Sequence, residues 1–124
     1  PMPRIVVATR RSALALAQAH GRMVMVYFHS EHCPYCQQMN TFVLSDPGVS
    51  RLLEARFVVA SVSVDTPEGQ ELARRYRVPG TPTFVFLVPK AGAWEEVGRL
   101  FGSRPRAEFL KELRQVCVKG GACG

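Results

Sequence analysis

The residues of this chain best suited to chemistry form one short cluster. The segment HSEHCPYCQQM contains Cys33 and Cys36 separated by Pro34 and Tyr35, and His32 precedes the first cysteine. A single C-x-x-C pair is compatible with metal binding, with a structural staple or with electron exchange. The rest of the sequence has to decide between these three chemistries.

Composition limits the class of protein. The chain has 124 residues, of which 47% are hydrophobic, enough for one ordinary globular core without cross-links. The net charge is +6, yet the basic residues are scattered and interleaved with acids, so we expect no nucleic-acid partner. No apolar run approaches the roughly 18 residues of a membrane-spanning helix, so no membrane insertion is expected. We expect a monomer.

The first third reads as strand, helix, strand. RIVVAT at residues 4–9 is a β-branched run, and Ser12 is the predicted N-cap of a helix that Gly21 ends. MVMVYFHS at 23–30 is continuously apolar, which is typical of a strand covered on both faces of a parallel sheet. TRRSALALAQA is rejected as an export signal, because it is weakly apolar and the fold uses it.

The middle third continues the alternation. After Pro34 the spacing predicts a helix whose apolar stripe contains Tyr35, Met39, Phe42 and Val43. A second short helix is predicted over 49–56, a buried strand over 57–64, and then a helix that begins with a cap and a proline at residues 65–68.

The last third predicts a hairpin and a helix. A turn cluster at 78–82 precedes two strands that a Lys-Ala-Gly-Ala loop connects, and an amphipathic helix ends the chain. The fold class is therefore α/β, with three layers (α/β/α), a mixed central sheet and the order β-α-β-α-β-α-β-β-α. Residues 1–124 form a single domain, with 119–124 as a flexible tail.

The fold places the cysteine pair where α/β proteins carry their sites, beyond the carboxyl end of a parallel strand. Pro34 suits the first helical position, so Cys33 is the cap and Cys36 follows one turn later on the same face. The helix N-terminus stabilises a thiolate on Cys33 and lowers its pKa. We therefore predict Cys33 as the nucleophile and Cys36 as its partner.

The strand-C-x-x-C-helix unit, followed by Val-Pro-Gly-Thr-Pro-Thr-Phe from Val78, resembles the thioredoxin superfamily over residues 22–118. FVLSDPGV and VPGTPTFVF are similar to thioredoxin-like proteins of bacterial envelopes. The resemblance implies a thiol:disulfide oxidoreductase without a cofactor, in the periplasm or cell envelope. It also implies a cis Thr81–Pro82 bond and substrate binding along Gly80 and Thr81. The implied partners are dithiol or disulfide proteins and a redox-recycling protein.

The sequence departs from thioredoxin itself at the site. Trp-Cys-Gly-Pro-Cys is replaced by His-Cys-Pro-Tyr-Cys, and Tyr27 stands where thioredoxin has a buried acid, so proton handling must differ. Protonated His32 would further stabilise the Cys33 thiolate, although an exposed histidine without a special role is an equal alternative. Tyr35 is expected at the rim of the substrate groove. The Pro34-Tyr35 dipeptide is the one of glutaredoxins, but no glutathione site is evident.

Two rival interpretations stay open. His29, His32, Cys33 and Cys36 offer four metal ligands, but a structural zinc site needs ligands from two converging segments, and no second C-x-x-C exists. A binding module in which the pair only braces a peptide groove is the other alternative. His29, inside the strand, is expected to have a structural role.

Two further features concern the ends of the chain. RIVVATRRSALALAQA, at residues 4–19, resembles the start of hydroxymethylbilane synthase, which suggests a chance match or a recombined or engineered chain, without that enzyme's activity. Cys117 lies on the apolar stripe of the last helix and Cys123 in Gly-Gly-Ala-Cys-Gly, so we predict two unrelated thiols rather than a redox pair or a clip.

Overall fold

The structure, a computed structural model, describes residues 7–8 and 10–123. Strands and helices alternate through most of this part of the chain and end in a hairpin and a helix. In chain order they are β1 (Val7–Ala8), α1 (Arg10–His20), β2 (Met23–His29), α2 (Pro34–Gln38), a π-helical turn (Met39–Val43), α3 (Pro47–Arg56), β3 (Phe57–Ser63), α4 (Pro67–Arg75), β4 (Thr83–Lys90), β5 (Ala93–Phe101) and α5 (Arg106–Lys119).

The described strands form one mixed sheet in the order β1-β3-β2-β4-β5. Strands β1, β2 and β3 are parallel, whereas β4 is antiparallel to β2 and β5 to β4. The central position of β2 explains its continuous apolar run, since both of its edges are paired and both of its faces are covered. The predicted α/β class and strand directions are confirmed.

The alternation of side chains along β2 divides the interior into two cores. Met23, Met25 and Tyr27 face the core that contains residues of the π-helical turn, α3 and α5. Val24 and Phe28 face the core that α1 and α4 cover. Side chains alternate across a strand, so one segment supplies both faces of the three-layer fold.

The N-terminal region differs in detail from the prediction. Residues 4–6 and 9 of the predicted first strand lie outside the described residues, while Val7 and Ala8 pair with β3. Helix α1 begins at Arg10, so Ser12 lies in its first turn rather than at its cap. The side chains of Ala13 and Ala17 are fully buried, so α1 is an integral layer of the fold.

The apolar stripe predicted after Pro34 is only half right. Met39 and Val43 are buried, but Tyr35 is 61% exposed and Phe42 is 69% exposed. The helix widens after Gln38, where Leu44 N–H donates to the carbonyl of Met39 across five residues. Such a π-helical turn adds a residue to the turn and rotates Phe42 away from the core.

The hairpin has a tighter turn than the predicted four-residue loop. Only Ala91 and Gly92 separate β4 from β5, and their φ angles are 52° and 81°. Two consecutive positive φ values are typical of a type I′ turn, whose twist matches that of the antiparallel strands it connects.

The C-terminal segment corrects two predictions. Cys117 and Cys123 form a disulfide, so they are not unrelated thiols. The N–H groups of Ala122 and Cys123 both donate to the carbonyl of Cys117, and both residues pack against the core. Gly121 has a φ of 79°, which lets the chain reverse after α5. Ala122 and Cys123 are therefore packed against the core, which the prediction of a flexible tail over 119–124 missed.

Candidate redox site

The turn between β2 and α2 arranges the two cysteines as the sequence predicts. Cys33 is the N-cap of α2, and its Sγ accepts a hydrogen bond of 3.1 Å from the N–H of Cys36. Pro34 occupies the first helical position, where a missing N–H costs nothing. Cys33 and Cys36 form a disulfide, with their Cα atoms 5.2 Å apart.

The two sulfur-bearing residues differ in access. Cys36 is 1% exposed and belongs to the buried face of α2, whereas Cys33 is 6% exposed at the start of the helix. The flanking residues His32, Pro34 and Tyr35 are all exposed. A partner molecule can therefore reach Cys33 from the side of these residues, while Cys36 is screened by the protein.

The loop that precedes Cys33 is held by a carboxylate that the sequence predicts only as part of a helix start. Asp65 accepts hydrogen bonds of 2.8 Å from the N–H of Glu31 and the hydroxyl of Ser30. The same hydroxyl oxygen accepts the N–H of His32 at 3.3 Å. These bonds tie the β2–α2 loop to the segment after β3. The sequence clue was an aspartate directly after the predicted strand 57–64, which pairs with β2.

The Asp65 hydrogen bonds also affect its ionisation. The N–H of Glu31, and then the hydroxyl of Ser30, hold the pKa of Asp65 below its ordinary value, with smaller contributions from His32 and His29. The carboxylate is therefore charged at neutral pH and stays an acceptor for the loop.

The proline loop lies beside the cysteine turn. The peptide bond between Thr81 and Pro82 is cis. Gly80 and Thr81 line a cavity of about 500 Å³ together with His32. The loop is closed by the hydroxyl of Thr83, which donates to the carbonyl of Gly80 at 2.6 Å. The structure thus brings together two motifs that are some fifty residues apart in the sequence.

Tyr27 occupies the interior below the site. Its hydroxyl donates a 2.9 Å hydrogen bond to Oδ1 of Asn40, and its ring stacks on Phe84. Burial raises the pKa of Tyr27 to about 12. The phenol therefore stays protonated at neutral pH and cannot accept a proton there as a buried carboxylate would.

His29 is half-buried at the end of β2. Its Nε2 lies 2.7 Å from the hydroxyl of Ser61 on β3. Burial lowers the pKa of His29, and the charge of Asp65 opposes this effect. A histidine whose pKa is lowered by burial and whose ring contacts a neighbouring strand is consistent with the structural role expected for it.

The part of the chain that the structure describes offers neither a clustered metal site nor a membrane-spanning helix. Within residues 7–8 and 10–123, no three His, Cys, Asp or Glu side chains are grouped as ligands for a metal ion. In the same ranges, no helix combines the length and apolarity needed to cross a bilayer.

A disulfide between the N-cap and the third residue of a helix that follows a central parallel strand is the arrangement of thiol:disulfide oxidoreductases. The family model of the thioredoxin-like domain matches residues 10–117. The chain therefore belongs to the thioredoxin-like domain family.

Known proteins similar to this chain agree with the family. The thiol:disulfide interchange protein DsbD of Pseudomonas fluorescens is 30% identical over 110 residues, which is 88% of this chain and 19% of that protein. The chain thus spans about one fifth of the curated relatives it matches. A DsbD 2 of Pseudomonas aeruginosa is 32% identical over 108 residues.

Solved structures show the same fold. A thioredoxin from Thermus thermophilus is 93% identical, with a TM-score of 0.89, and the match covers 97% of this chain and 92% of that one. The oxidised C-terminal domain of Neisseria meningitidis DsbD is 26% identical, with a TM-score of 0.65, and the match covers 89% of this chain and 98% of that domain.

These comparisons also bear on the N-terminal segment. The family model begins at residue 10, inside the stretch that resembles hydroxymethylbilane synthase, and the Thermus match covers nearly the whole chain. The idea of a recombined or engineered chain finds no support in them.

Proposed function

We propose that the protein catalyses thiol–disulfide exchange with partner proteins through Cys33 and Cys36. The observation that carries this proposal is the position of Cys33 at the N-cap, where its Sγ accepts the N–H of Cys36. The same N–H would stabilise a thiolate on Cys33 after reduction. Relatives named thiol:disulfide interchange proteins support the assignment.

The exchange proceeds in two balanced steps. The Cys33 thiolate attacks one sulfur of a partner disulfide, which forms a mixed disulfide and releases the other partner sulfur as a thiolate. Cys36, as a thiolate, then attacks Sγ of Cys33 and releases the first partner sulfur. The partner gains two electrons, and the Cys33–Cys36 pair becomes the disulfide seen in the structure. The reverse sequence oxidises a dithiol partner.

The surrounding residues have supporting roles in this proposal. Pro34 fixes the first turn of α2, and Tyr35 shapes the exposed rim. Gly80 and Thr81 bind the partner backbone next to the disulfide, on the loop that carries Pro82. The protein acts as a monomer, on disulfide or dithiol proteins and with a separate recycling protein.

We also propose an oxidising compartment, such as the periplasm or cell envelope, as its place of action. The support is the second disulfide, Cys117–Cys123, because disulfides persist in such compartments and are rare in the cytosol of most organisms. Cell fractionation with alkylation of free thiols tests the proposed compartment. Finding the protein in the cytosolic fraction with Cys117 and Cys123 reduced would contradict the proposal.

Two serine variants test the roles of the cysteines. Cys36→Ser should accumulate covalent adducts with disulfide partners, because the mixed disulfide on Cys33 can no longer be resolved. Cys33→Ser should form none. Mass spectrometry under non-reducing conditions distinguishes the outcomes, and adducts on Cys36 in the Cys33→Ser variant would reverse the assignment.

A further inference from the structure

We propose that a groove beside the cysteine turn binds the segment next to the cysteine of a disulfide-bearing partner protein. In this assignment the groove accepts an apolar side chain between Tyr35 and Phe42 and a carboxylate at Arg106. The inference rests on the proposed exchange at Cys33. We call this feature the side groove; it has a volume of about 660 Å³, and its lining includes Tyr35, Gln38, Phe42, Ser103, Arg104 and Arg106.

The apolar part of the side groove consists of two aromatic side chains that the fold leaves outside the core. Tyr35 is 61% exposed and Phe42 is 69% exposed. Phe42 is directed outward by the π-helical turn, so its exposure follows from the helix geometry. Covering these rings with an apolar side chain removes apolar area from water, which is favourable.

The floor of the groove is held in place by a polar contact. The hydroxyl of Ser103 donates to Oε1 of Gln38 at 3.2 Å, which joins α2 to the loop before α5. The groove therefore lies between two elements that are linked to each other.

The charged side chains that line the side groove are two arginines, and no carboxylate lines it. Arg104 is engaged inside the protein: its Nη1 lies 2.7 Å from Oε2 of Glu112, and its side chain is 14% exposed. Arg106 differs, because its side chain is 71% exposed although Nη1 lies 2.9 Å from Oδ1 of Asp46.

Asp46 neutralises Arg106 only in part. Its other oxygen, Oδ2, accepts the N–H groups of Gly48 and Val49 at the start of α3. The carboxylate is thus shared between Arg106 and a helix N-terminus. A guanidinium has five donors in a fork that suits a carboxylate, so Arg106 retains donors for an acidic group of a partner.

The position of the side groove identifies its occupant. Tyr35 lies between Cys33 and Cys36, so the groove starts at the disulfide. Phe42 follows Cys33 by nine residues, which corresponds to about 13 Å along a helix, and an extended peptide covers this in about four residues. The occupant therefore carries its apolar and acidic residues within about five positions of the cysteine.

A second copy of this chain fits the groove less well. The chain has a net charge of +6, so two copies repel each other, and the groove presents the exposed guanidinium of Arg106. Charge complementarity favours an acidic segment of a different protein.

The test uses the full, reduced chain and synthetic peptide disulfides. In one peptide, Phe and Glu follow the cysteine by two and four residues. In a second peptide, they precede the cysteine by the same distances. Matched peptides replace Phe by Ser or Glu by Lys. The second-order rate constant for each peptide is divided by that for bis(2-hydroxyethyl) disulfide, which is uncharged and too short to reach Phe42.

We expect Phe42→Ser to lower the ratio of rate constants at least fivefold for the peptide with Phe and Glu. The ratio for the peptide in which Ser replaces Phe should change little. Arg106→Glu should reverse the preference from the Glu to the Lys peptide. Val118→Ser and Arg114→Glu, exposed substitutions elsewhere on α5, are the controls and should change the ratio less than twofold. Unchanged ratios in Phe42→Ser or Arg106→Glu overturn the proposal.

Two further measurements distinguish peptide binding from thiol chemistry and from dimer formation. NMR shifts of the groove residues with a Phe–Glu peptide whose cysteine is replaced by serine report binding without chemistry. If the protein does not react with the small disulfide, the proposed function is contradicted. The NMR shifts then show by themselves whether the side groove binds the peptide. A dimer in sedimentation experiments that Phe42→Ser abolishes would assign the groove to a second copy and overturn the proposal.

Discussion

At the scale of single residues, the site combines a cysteine pair typical of the family with different surroundings. Cys33 has the helix N-terminus that favours a thiolate, but Tyr27 below it is a phenol with a raised pKa. Proton transfer near neutral pH must therefore involve groups other than Tyr27. The role of Asp65 at the site is positional, because its carboxylate holds the loop in front of Cys33.

The Tyr27→Phe variant tests this view of the buried phenol. Losing the hydrogen bond to Asn40 should lower the free energy of unfolding by about 1 kcal/mol, as measured by denaturant titration. The pH profile of Cys33 alkylation should stay the same between about pH 5 and 9, because a group with a pKa of about 12 does not titrate there. A profile that shifts in Tyr27→Phe would implicate the hydroxyl in proton handling.

The lowered pKa of Asp65 predicts a stability that depends on pH. Its carboxylate is more acidic in the folded state, so its contribution is present above the ordinary carboxyl pKa and is lost as the pH falls through the folded value. Asp65→Asn should thus lower the Tm at pH 7 and flatten the decrease in Tm below about pH 4.

Asp65 and Asp46 provide a matched comparison. The pKa of Asp46 is also lowered, first by its hydrogen bond with Arg106, so Asp46→Asn should flatten the same acid limb. Only Asp65→Asn should also change the rate of Cys33 alkylation, because only Asp65 holds the loop before Cys33. Equal alkylation rates in both variants and in the original chain would show that Asp65 only stabilises the fold and does not affect Cys33.

At the scale of elements, the start of α4 shows how tightly a helix follows its strand. Thr66 caps α4 through the N–H of Gly69 at 3.0 Å, and Gly69 is buried. A Cβ on Gly69 would overlap the backbone carbonyl of Ser63 at the end of β3. Only glycine permits this approach, which also places Asp65 beside the β2–α2 loop.

Gly69→Ala should therefore destabilise the protein by about 1–3 kcal/mol despite the better helix propensity of alanine. Gln70→Ala, at the next and exposed position of α4, is the control and should change stability by less than about 0.5 kcal/mol. Denaturant midpoints of both variants give the comparison. A neutral Gly69→Ala would show that α4 can move away from β3 at little cost.

At the scale of the whole molecule, the two disulfides lie at opposite ends of the sheet. Cys33–Cys36 follows the carboxyl end of β2, whereas the turn after α5 packs at its start, with Gly120 close to Met23. Seven residues of β2 separate the two ends, which is about 20 Å. The second disulfide is therefore remote from the exchange proposed at Cys33, and it lies at the end of the sheet where β2 begins.

Cys123→Ser should separate stability from activity. Opening a loop with a sequence separation of 6 should cost about 2 kcal/mol of unfolding free energy. The rate of exchange at Cys33 should not change, since the two pairs are remote. A lower exchange rate in Cys123→Ser, or transfer of oxidation between the pairs within one molecule, would place the C-terminal pair in the electron path.

Features that depend on local pattern could be predicted from the amino-acid order alone. The apolar run of β2, the Pro34 start of α2 and the amphipathic stripe of α5 each require only neighbouring residues, and they located the cysteine turn correctly. The alternation of strands and helices was enough to predict the sheet and its parallel strands.

Features that depend on contacts between distant segments emerged only in the folded chain. Asp65 reaches Glu31 because β3 pairs with β2, and no local pattern records that contact. Phe42 fits a helical stripe by spacing, yet the π-helical turn directs it to solvent. Cys123 meets Cys117 only because Gly121 reverses the chain and the core gives the turn a surface to pack on. Local propensity sets which elements form, whereas packing sets which side chains meet.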